Sequence, residues 1–246
     1  MKAIIYNSGS GKRMGRITQN QPKCLVKLSG KETIFERQLR ILSECGIREI
    51  IVTTGKNENA LRLTAKKFPQ LHFTFVNNTD YDATNYIYSM YLSAKYLEGD
   101  LLSLHGDLVF DKGLIEKMLN SSELSLCLVN KKLVQPTKDF KCRLENDFLR
   151  EVSVNLFDED CYAFQPLYKL SKQDIKVWLE EVKRFVENGN RHVYAEEALN
   201  VVLKDLSIRA MSYENHYIDE IDTPEDLERV QFEIEQFEIR QRTLVR

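Results

Sequence analysis

The sequence YNSGSGKRMGRITQNQPK, residues 6–23, places two closely spaced glycines just after a short apolar run, KAIIY (2–6). An apolar run that ends in a glycine-rich loop is typical of a buried parallel strand. Gly9 and Gly11 allow the backbone to approach a ligand closely and to present its N–H groups to it. The stretch therefore predicts the first strand of an α/β sheet, with an anion-binding loop at its carboxyl end.

Basic residues in and after this loop favour a polyphosphate as the anion. Lys12 and Arg13 stand inside the loop, and Lys23 follows Pro22 further on. The Walker A pattern GxxxxGK[ST] is absent, and the third glycine of the dinucleotide fingerprint is missing. The alternative interpretation is an ordinary strand-to-helix turn whose charges are solvated.

Beyond this loop, apolar runs alternate with segments of helical periodicity, which predicts βαβ units and a mostly parallel sheet. No linker-like stretch or repeat interrupts the chain, so we expect a single domain over residues 1–246, with an elaborated second part from residue 126. Thr223 as N-cap and Pro224 in the first turn predict a long terminal helix. We expect strands at 48–55, 72–76, 99–107, 124–130, 148–154, 161–170 and 208–213, and helices at 33–47, 58–68, 86–97, 171–189, 195–206 and 223–245.

Composition excludes several classes of protein. The chain is 43% hydrophobic with a net charge of −2, so it has no broad basic field for nucleic acid. No apolar run approaches the roughly 18 residues of a membrane span, and the first residues lack the apolar length of a signal peptide. The five cysteines are odd in number and form no CxxC pair, which favours reduced thiols. We expect a cytoplasmic protein with no membrane and no nucleic-acid partner.

Two acidic segments are candidates for a metal site. Asp107, in LLSLHGD, follows a predicted buried strand and so stands at the edge of the sheet where ligands bind. The late segment EIDTPEDL offers Glu220 and Asp222, with Asp219 just before. Carboxylates together with phosphate oxygens suit Mg²⁺. The alternative is a turn cap at Asp107 and an acidic helix start in the late segment.

The motif GSGKRM…PKCLVKLSGKETIFERQL resembles the signature G-x-G-x-R-[LM]…P-K of the GT-A-like nucleotidyltransferases, with HGD and EIDTPEDL as further points of similarity. This resemblance implies a GT-A/Rossmann-like three-layer sandwich with a mostly parallel mixed central sheet. Residues 1–125 would then be the nucleotide-binding half, and 126–246 the acceptor-binding half with the C-terminal helix. The family usually has two small residues before the first glycine, as in L-A-A-G. Here Ser8 is small, but Asn7 stands in place of the usual alanine, at a position whose backbone generally faces the base.

The resemblance also implies roles for the residues of the motifs. Arg13, Lys23 and Asp107 would be the catalytic residues, and Asp107, Asp222 and Glu220 would hold Mg²⁺. The triphosphate would bind to Ser8, Gly9, Ser10, Gly11, Lys12, Arg13 and Lys23.

The segment NNTDYDATNYIYSMYL resembles the N-N-I-Y-S-x-Y-L segment of the phosphocholine cytidylyltransferase branch. This favours CTP as co-substrate, with Thr84, Asn85 and Ser89 near its base or ribose. On the acceptor side, VYAEEALN resembles a segment that faces the acceptor, which implicates Tyr194 and Glu196. Lys141 resembles a lysine that contacts the acceptor phosphate, and Tyr162 belongs to a strand face that alternates aromatic residues.

The function that this implies is Mg²⁺-dependent transfer of a cytidylyl group from CTP to a small phosphorylated acceptor, with release of pyrophosphate. Phosphocholine-like amino alcohols, polyol phosphates, phospho-amino acids and phosphonates all remain possible acceptors, and surface polysaccharide or lipid decoration is a possible destination. One alternative is a sugar-1-phosphate nucleotidylyltransferase that uses UTP, dTTP or GTP. Others are an inactive nucleotide-binding regulatory module and a glycosyltransferase of related fold. A homodimer is compatible with the long terminal helix.

Overall fold

The computed structural model describes residues 1–28, 30, 32–134 and 136–244. Eleven strands lie within these residues: β1 Lys2–Asn7, β2 Glu49–Thr54, β3 His72–Asn77, β4 Leu101–His105, β5 Leu108–Phe110, β6 Leu126–Asn130, β7 Lys141–Glu145, β8 Phe148–Ser153, β9 Tyr162–Leu170, β10 Arg209–Ser212 and β11 Ile218–Glu220. The α-helices are α1 Ile34–Glu44, α2 Glu58–Ala65, α3 Tyr86–Ser93, α4 Lys112–Asn120, α5 Lys172–Glu187, α6 Ala195–Val202 and α7 Pro224–Leu244.

Nine of the strands form one mixed sheet in the order β3-β2-β1-β4-β9-β6-β10-β8-β7. The first four are parallel, β9 runs antiparallel to both β4 and β6, and β10 is parallel to β6. β7 also pairs with the first residues of β9, so the last five strands curl toward closure. The predicted mixed and mostly parallel sheet is therefore confirmed.

Helices cover both faces of the sheet, because β1 and its neighbours are apolar on both sides. Ile4 and Tyr6 pack toward α3, α5 and α6, whereas Ala3 and Ile5 pack toward α1, α2 and α4. A buried strand of a parallel sheet has this continuous apolar character. The three-layer arrangement follows from it, as expected.

A second, two-stranded sheet pairs β5 with β11 in antiparallel register. Ile221 N donates to Asp107 O at 3.1 Å, so the late acidic segment lies directly beside the residue that follows β4. The inner face of α7, through Val230 and Ile234, packs with Met14 and Ile221 in a third apolar cluster. This cluster fixes the start of α7 against the glycine-rich segment.

The predicted elements occur close to their expected positions, and the sequence interpretation missed β5, α4, β7 and β11. The predicted helices 86–97 and 195–206 are shorter α-helices that continue as 3-10 turns. The predicted end of the terminal helix at Val245 lies outside the described residues. All five cysteines are free thiols. Within the described ranges, no helix is both long enough and apolar enough to cross a bilayer.

Candidate active site

A cleft of about 390 Å³ opens at the carboxyl ends of β1 and β4. This is the edge where ligands of open α/β sheets bind. The cleft collects most of the predicted site residues, namely Ser8, Gly9, Ser10, Gly11, Lys12, Arg13, Lys23, Thr84, Asn85, Asp107, Tyr194, Glu220 and Asp222. Ser89, Lys141, Tyr162 and Glu196 do not line it.

The glycine-rich loop is held in shape by its own backbone. Gly11 has a φ of +63°, a conformation that L side chains rarely adopt, and a Cβ there would lie 3.3 Å from the Cβ of Lys23. Gly11 O accepts from Thr18 Oγ1 at 2.8 Å and from Met14 N at 3.0 Å. Met14 is fully buried, so the loop is anchored from below while its amide groups border the cleft.

Lys23 connects the two acidic segments. Its ammonium donates to Asp107 Oδ2 at 2.5 Å and to Asp222 Oδ1 at 2.8 Å. Burial alone would lower the pKa of Lys23, but these two carboxylates raise it well above its ordinary value. Burial would likewise raise the pKa of Asp107, yet the Lys23 ammonium holds that pKa below its usual range. Arg13 adds a second cation at 2.9 Å from Asp222 Oδ1, from an exposed position.

A cluster of carboxylates lies beside this ion pair. Asp139, Glu220 and Asp222 each place one carboxylate oxygen within 4.8 Å of the other two. Burial, followed by the charges of Asp107, Asp222 and Asp139, raises the pKa of Glu220 well above its usual value. Burial also raises the pKa of Asp139, to about 6. These raised pKa values reflect burial and mutual repulsion among the carboxylates, which the nearby lysine only partly compensates.

These donors fit a magnesium ion. Asp107 Oδ1 and Glu220 Oε1 are buried and accept no hydrogen bond from a residue that the structure describes. A buried carboxylate oxygen without a partner is costly, and Mg²⁺ prefers a few carboxylates together with phosphate oxygens and water. Asp219, the third candidate, is oriented differently, because it pairs with Arg229 on the far side of β11.

Asp139 and Lys138 are the cleft residues that the sequence interpretation missed. Both precede β7 in a loop, and Lys138 donates to Asp226 Oδ2 at 2.5 Å. Their spacing carries no recognisable signal, because they reach the cleft only through the pairing of β7 with β9. Lys141, three residues further on, is buried and donates to the carbonyl oxygens of Thr137 and Asp139 at 3.0 and 2.8 Å. It therefore supports this loop from behind.

The remaining acceptor-side candidates separate into lining and supporting residues. Tyr194 lines the cleft, and its ring lies 5.0 Å from that of Phe140. Glu196 is fully buried and accepts hydrogen bonds from the hydroxyl groups of Tyr86 and Tyr168. Tyr162 stacks with the Lys131 ammonium away from the cleft.

Of the three residues predicted to lie near the base, two line the cleft and one is buried behind its wall. Asn85 accepts from Tyr86 N at 2.7 Å and so caps α3 while it lines the cleft. Thr84 also lines the cleft, and its Oγ1 donates to Asp80 O at 2.8 Å. Ser89 is fully buried and lies 2.6 Å from the hydroxyl of Ser8.

Asn7, the residue that departs from the family pattern, packs tightly against Gly106, the glycine before Asp107. A Cβ built on Gly106 would lie 1.6 Å from Asn7 Oδ1 and 2.9 Å from Tyr6 O. Only a residue without a side chain fits there while Asn7 keeps its place. The departure at Asn7 therefore affects the turn between β4 and β5 that contains Asp107.

Comparison with known proteins supports the resemblance. Residues 3–154 match the MobA-like NTP transferase domain. A CTP:phosphoglutamine cytidylyltransferase from Campylobacter jejuni is 29% identical over 210 residues, which are 78% of this chain and 80% of that protein. A 2-aminoethylphosphonate cytidylyltransferase from Lancefieldella rimae is 26% identical over 231 residues, covering 92% and 89% of the two chains.

A solved structure shows the same fold. The CTP:phosphocholine cytidylyltransferase of Streptococcus pneumoniae superposes with a TM-score of 0.77 at 20% identity, over 95% of this chain and 98% of that one. The predicted GT-A-like architecture is thereby confirmed. Since the family match covers more than half of the chain, this protein belongs to the MobA-like NTP transferase domain family and is a nucleotidyltransferase.

Proposed function

We propose that the protein is a Mg²⁺-dependent cytidylyltransferase that joins CTP to a small phosphorylated, nitrogen-bearing acceptor and releases pyrophosphate. The observation that carries this proposal is the presence of cationic and acidic side chains together in one cleft. Lys12, Arg13 and Lys23 line the same cleft as Asp107, Asp139, Glu220 and Asp222, and both Arg13 and Lys23 contact carboxylates of this acidic group. A triphosphate bound with a divalent cation needs both kinds of group.

The chemistry is one in-line displacement at phosphorus. A phosphate or phosphonate oxygen of the acceptor forms a bond to the α-phosphorus of CTP, and the bond from that phosphorus to the bridging oxygen breaks. The electron pair leaves with pyrophosphate, so no covalent enzyme intermediate is needed. The protein contributes positioning and charge neutralisation.

The cationic residues divide this task by position. Lys12 and Arg13, exposed on the glycine-rich loop, are placed to hold the departing β- and γ-phosphates. Lys23, deeper in the cleft, would neutralise charge at the α-phosphate and the attacking oxygen. Asp107, Glu220 and Asp222 would hold Mg²⁺, with Asp139 beside them. Mg²⁺ would supply Lewis-acid polarisation of the α-phosphate.

CTP is favoured as the triphosphate by the relatives, which are named cytidylyltransferases for phosphoglutamine, 2-aminoethylphosphonate and phosphocholine. Thr84 and Asn85, on the loop before α3, are the proposed contacts to base and ribose. Both line the same cleft as the glycine-rich loop.

A nitrogen-bearing acceptor is favoured by the aromatic side chains of the cleft. Tyr6, Tyr86 and His105 form a group of rings with centroids 4.6 to 6.2 Å apart, and Phe140 and Tyr194 also line the cleft. Aromatic faces attract ammonium groups. The buried carboxylate of Glu196 accepts from Tyr86 and adds negative charge behind these rings. Lys138 is the proposed cation for the acceptor phosphate, the role that the sequence suggested for Lys141.

A pyrophosphate-release screen tests the proposal. The protein with Mg²⁺ is incubated with CTP, UTP, dTTP or GTP and with acceptors of each class, namely phosphocholine, 2-aminoethylphosphonate, phosphorylated amino acids and hexose 1-phosphates. We expect release with CTP and an amino-bearing acceptor. Release only with hexose 1-phosphates would replace the proposal by sugar-nucleotide synthesis. Tight nucleotide binding with no release in any combination would favour the regulatory module.

A further inference from the structure

Four polar side chains form a buried hydrogen-bond network behind the wall of the cleft that carries Thr84. The network consists of Ser8, Asn78, Thr84 and Ser89. Ser8, Asn78 and Ser89 are each at most 5% exposed. Ser8 and Thr84 line the cleft, whereas Asn78 and Ser89 stand behind them.

The contacts of the network are continuous. The hydroxyl groups of Ser8 and Ser89 lie 2.6 Å apart. Asn78 Nδ2 donates to Ser89 Oγ at 3.0 Å and to Thr84 Oγ1 at 3.1 Å. Asn78 Oδ1 accepts from Asp80 N at 2.9 Å, and Thr84 Oγ1 donates to Asp80 O at 2.8 Å.

These contacts join the glycine-rich loop to two adjoining segments that are distant from it in sequence. Ser8 begins the glycine-rich loop, Ser89 belongs to α3, and Asn78 and Thr84 lie at the two ends of the loop between β3 and α3. Apolar packing does not require them, since small apolar side chains would fill the same volume without the cost of burying polar groups. A fully paired buried network instead fixes one arrangement of the segments that carry it.

We propose that this network is a positioning device that sets the distance between the glycine-rich loop and the loop 78–85, and thereby the affinity for the nucleoside triphosphate. Ser89 is its central positioning residue, because its hydroxyl contacts Ser8 of one loop and Asn78 of the other. The inference rests on the proposed function, in which the triphosphate bridges these two loops.

The network should have little effect on the rate of the chemical step. Lys23, Asp107 and Asp222 are held by one another and by the β5–β11 sheet, and no contact of the network reaches them. Loss of Ser89 Oγ should therefore weaken triphosphate binding more than turnover. This distinguishes a positioning role from a loss of overall stability, which would lower the active fraction and so reduce turnover without changing KM.

Ser93 provides a matched control. It lies one turn further along α3 and is also fully buried. Among the residues that the structure describes, its hydroxyl donates only to the Ser89 carbonyl, at 2.7 Å. Ser93→Ala removes a buried hydroxyl from the same helix without touching either loop. Ser89→Ala removes one that touches both.

The experiment compares steady-state kinetics of Ser89→Ala, Ser93→Ala, Ser8→Ala and the double variant Ser8→Ala/Ser89→Ala, with melting temperatures for each. We expect Ser89→Ala to raise the KM for CTP roughly threefold to tenfold, the range of one lost buried hydrogen bond, with kcat and the acceptor KM within about twofold. Ser8→Ala should raise the KM for CTP to a similar extent. The double variant should raise this KM by less than the product of the two single effects, because both substitutions remove the same contact. Ser93→Ala should leave the KM for CTP unchanged.

An unchanged KM for CTP in Ser89→Ala, or an equal change in Ser93→Ala, would overturn the positioning role. If the wild type releases no pyrophosphate with any pair, the proposed function fails, and the same variants are then compared by calorimetric titration with CTP. Weaker CTP binding by Ser89→Ala than by Ser93→Ala would still support the network. If no triphosphate binds the wild type, both proposals fall.

Discussion

Lys23 holds together two carboxylates, Asp107 and Asp222, that are far apart in the sequence. Its ammonium lies between Asp107 and Asp222, and both side chains are largely buried. Two carboxylates that contact the same ammonium group repel each other strongly in a poorly solvated site. The lysine is therefore needed even before substrate binds. The same ammonium is available to phosphate oxygens when they enter the cleft.

Replacing Lys23 should therefore affect both activity and stability. For Lys23→Ala we expect pyrophosphate release to fall about 100-fold or more, as for the loss of a preorganised charge at a reacting centre. The melting temperature should also fall, because Asp107 and Asp222 lose their shared partner. Lys27→Ala, an exposed lysine of the same segment, is the control and should match the wild type in both measurements. Near-normal turnover of Lys23→Ala would contradict the assignment.

Asn7 and Gly106 offer a second test at the scale of single residues. Gly106→Ala places a Cβ 1.6 Å from Asn7 Oδ1, so we expect a loss of stability of roughly 1–3 kcal/mol from overpacking. Asn7→Ala removes that oxygen but leaves Tyr6 O at 2.9 Å. The double variant should therefore recover part of the loss, as measured by urea denaturation. Gly9→Ala, where nothing lies within 4 Å, is the stability control. Additive losses of stability in the double variant would show that the contact between residue 106 and Asn7 Oδ1 does not cause the loss.

Single residues were predictable from sequence where a motif carries them. The glycine-rich loop, Asp107 and Asp222 lie in the cleft as their motifs suggested. Asp139 was not predictable, because only the pairing of β7 with β9 brings it there. Ser89 and Glu196 stand behind the wall, since burial is decided by packing that a sequence segment does not reveal.

At the scale of elements, the packing of the inner face of α7 holds the preceding segment, which contains Asp222, at the cleft. Ile234 is 2% exposed within the cluster that includes Met14 and Ile221. Ile234→Ala should therefore destabilise the protein by about 2–4 kcal/mol in urea denaturation. Phe232→Ala, on the outer face of the same helix at 65% exposure, should stay within about 0.5 kcal/mol of the wild type. Equal losses for both variants would mean that α7 is not held by this face.

The start of α7 also predicts a dependence of stability on pH. Burial alone would raise the pKa of Asp226, but the Lys138 ammonium and the N–H of Asp222 lower it to about 2. The unfolded-state pKa is about 3.9, so the contribution of Asp226 is fully present above that pH and is lost as the pH falls toward 2. Asp226→Asn should lower the melting temperature at pH 7, and the difference from the wild type should shrink below pH 4.

The exposed neighbour Glu225 supplies the control for this comparison. Glu225→Gln should show no such pH-dependent difference from the wild type. A gap between Asp226→Asn and the wild type that stays constant from pH 7 to pH 2 would contradict the assignment to the carboxylate.

Elements were predictable in proportion to their length and periodicity. The strands of the first half and α5 have clear apolar patterns and occur close to the predicted segments. β5 and β11 contain three residues each, too few for a period to appear, and they exist because they pair with each other. The segment EIDTPEDL has the pattern of an acidic helix start, so its sequence did not predict β11. This strand brings Glu220 to the cleft.

At the scale of the whole molecule, the cleft belongs to neither half alone. The glycine-rich loop and Asp107 come from the first 125 residues, while Asp139, Glu220 and Asp222 come from the second. The alternation of strands and helices predicted the sheet of the first half. The second half inserts β9 antiparallel beside β4, a long-range pairing that no local pattern encodes. The expectation of a single domain over 1–246 stays a prediction that this shared cleft supports.

The distribution of acidic residues over the whole molecule leads to the last prediction, on metal binding. The described residues form two carboxylate-rich groups: the buried Asp139, Glu220 and Asp222, and a more exposed group at Asp158, Asp160 and Cys161. The exposed group is solvated and already paired with Arg143, whereas Glu220 Oε1 is buried without a partner among the described residues. A cation gains most where uncompensated negative charge is poorly solvated, so Mg²⁺ should bind to the buried group.

Binding to the native state alone raises stability with ligand concentration. Titration with Mg²⁺, without nucleotide, should therefore raise the melting temperature of the wild type. Glu220→Gln keeps the shape of the side chain but cannot ionise to bind the cation, and it should weaken or abolish this rise. Asp158→Asn in the exposed group should retain it in full. If Asp158→Asn lost the rise and Glu220→Gln kept it, the metal would lie outside the cleft, and the proposed combination of phosphate-binding cations and metal-binding carboxylates would have to be abandoned.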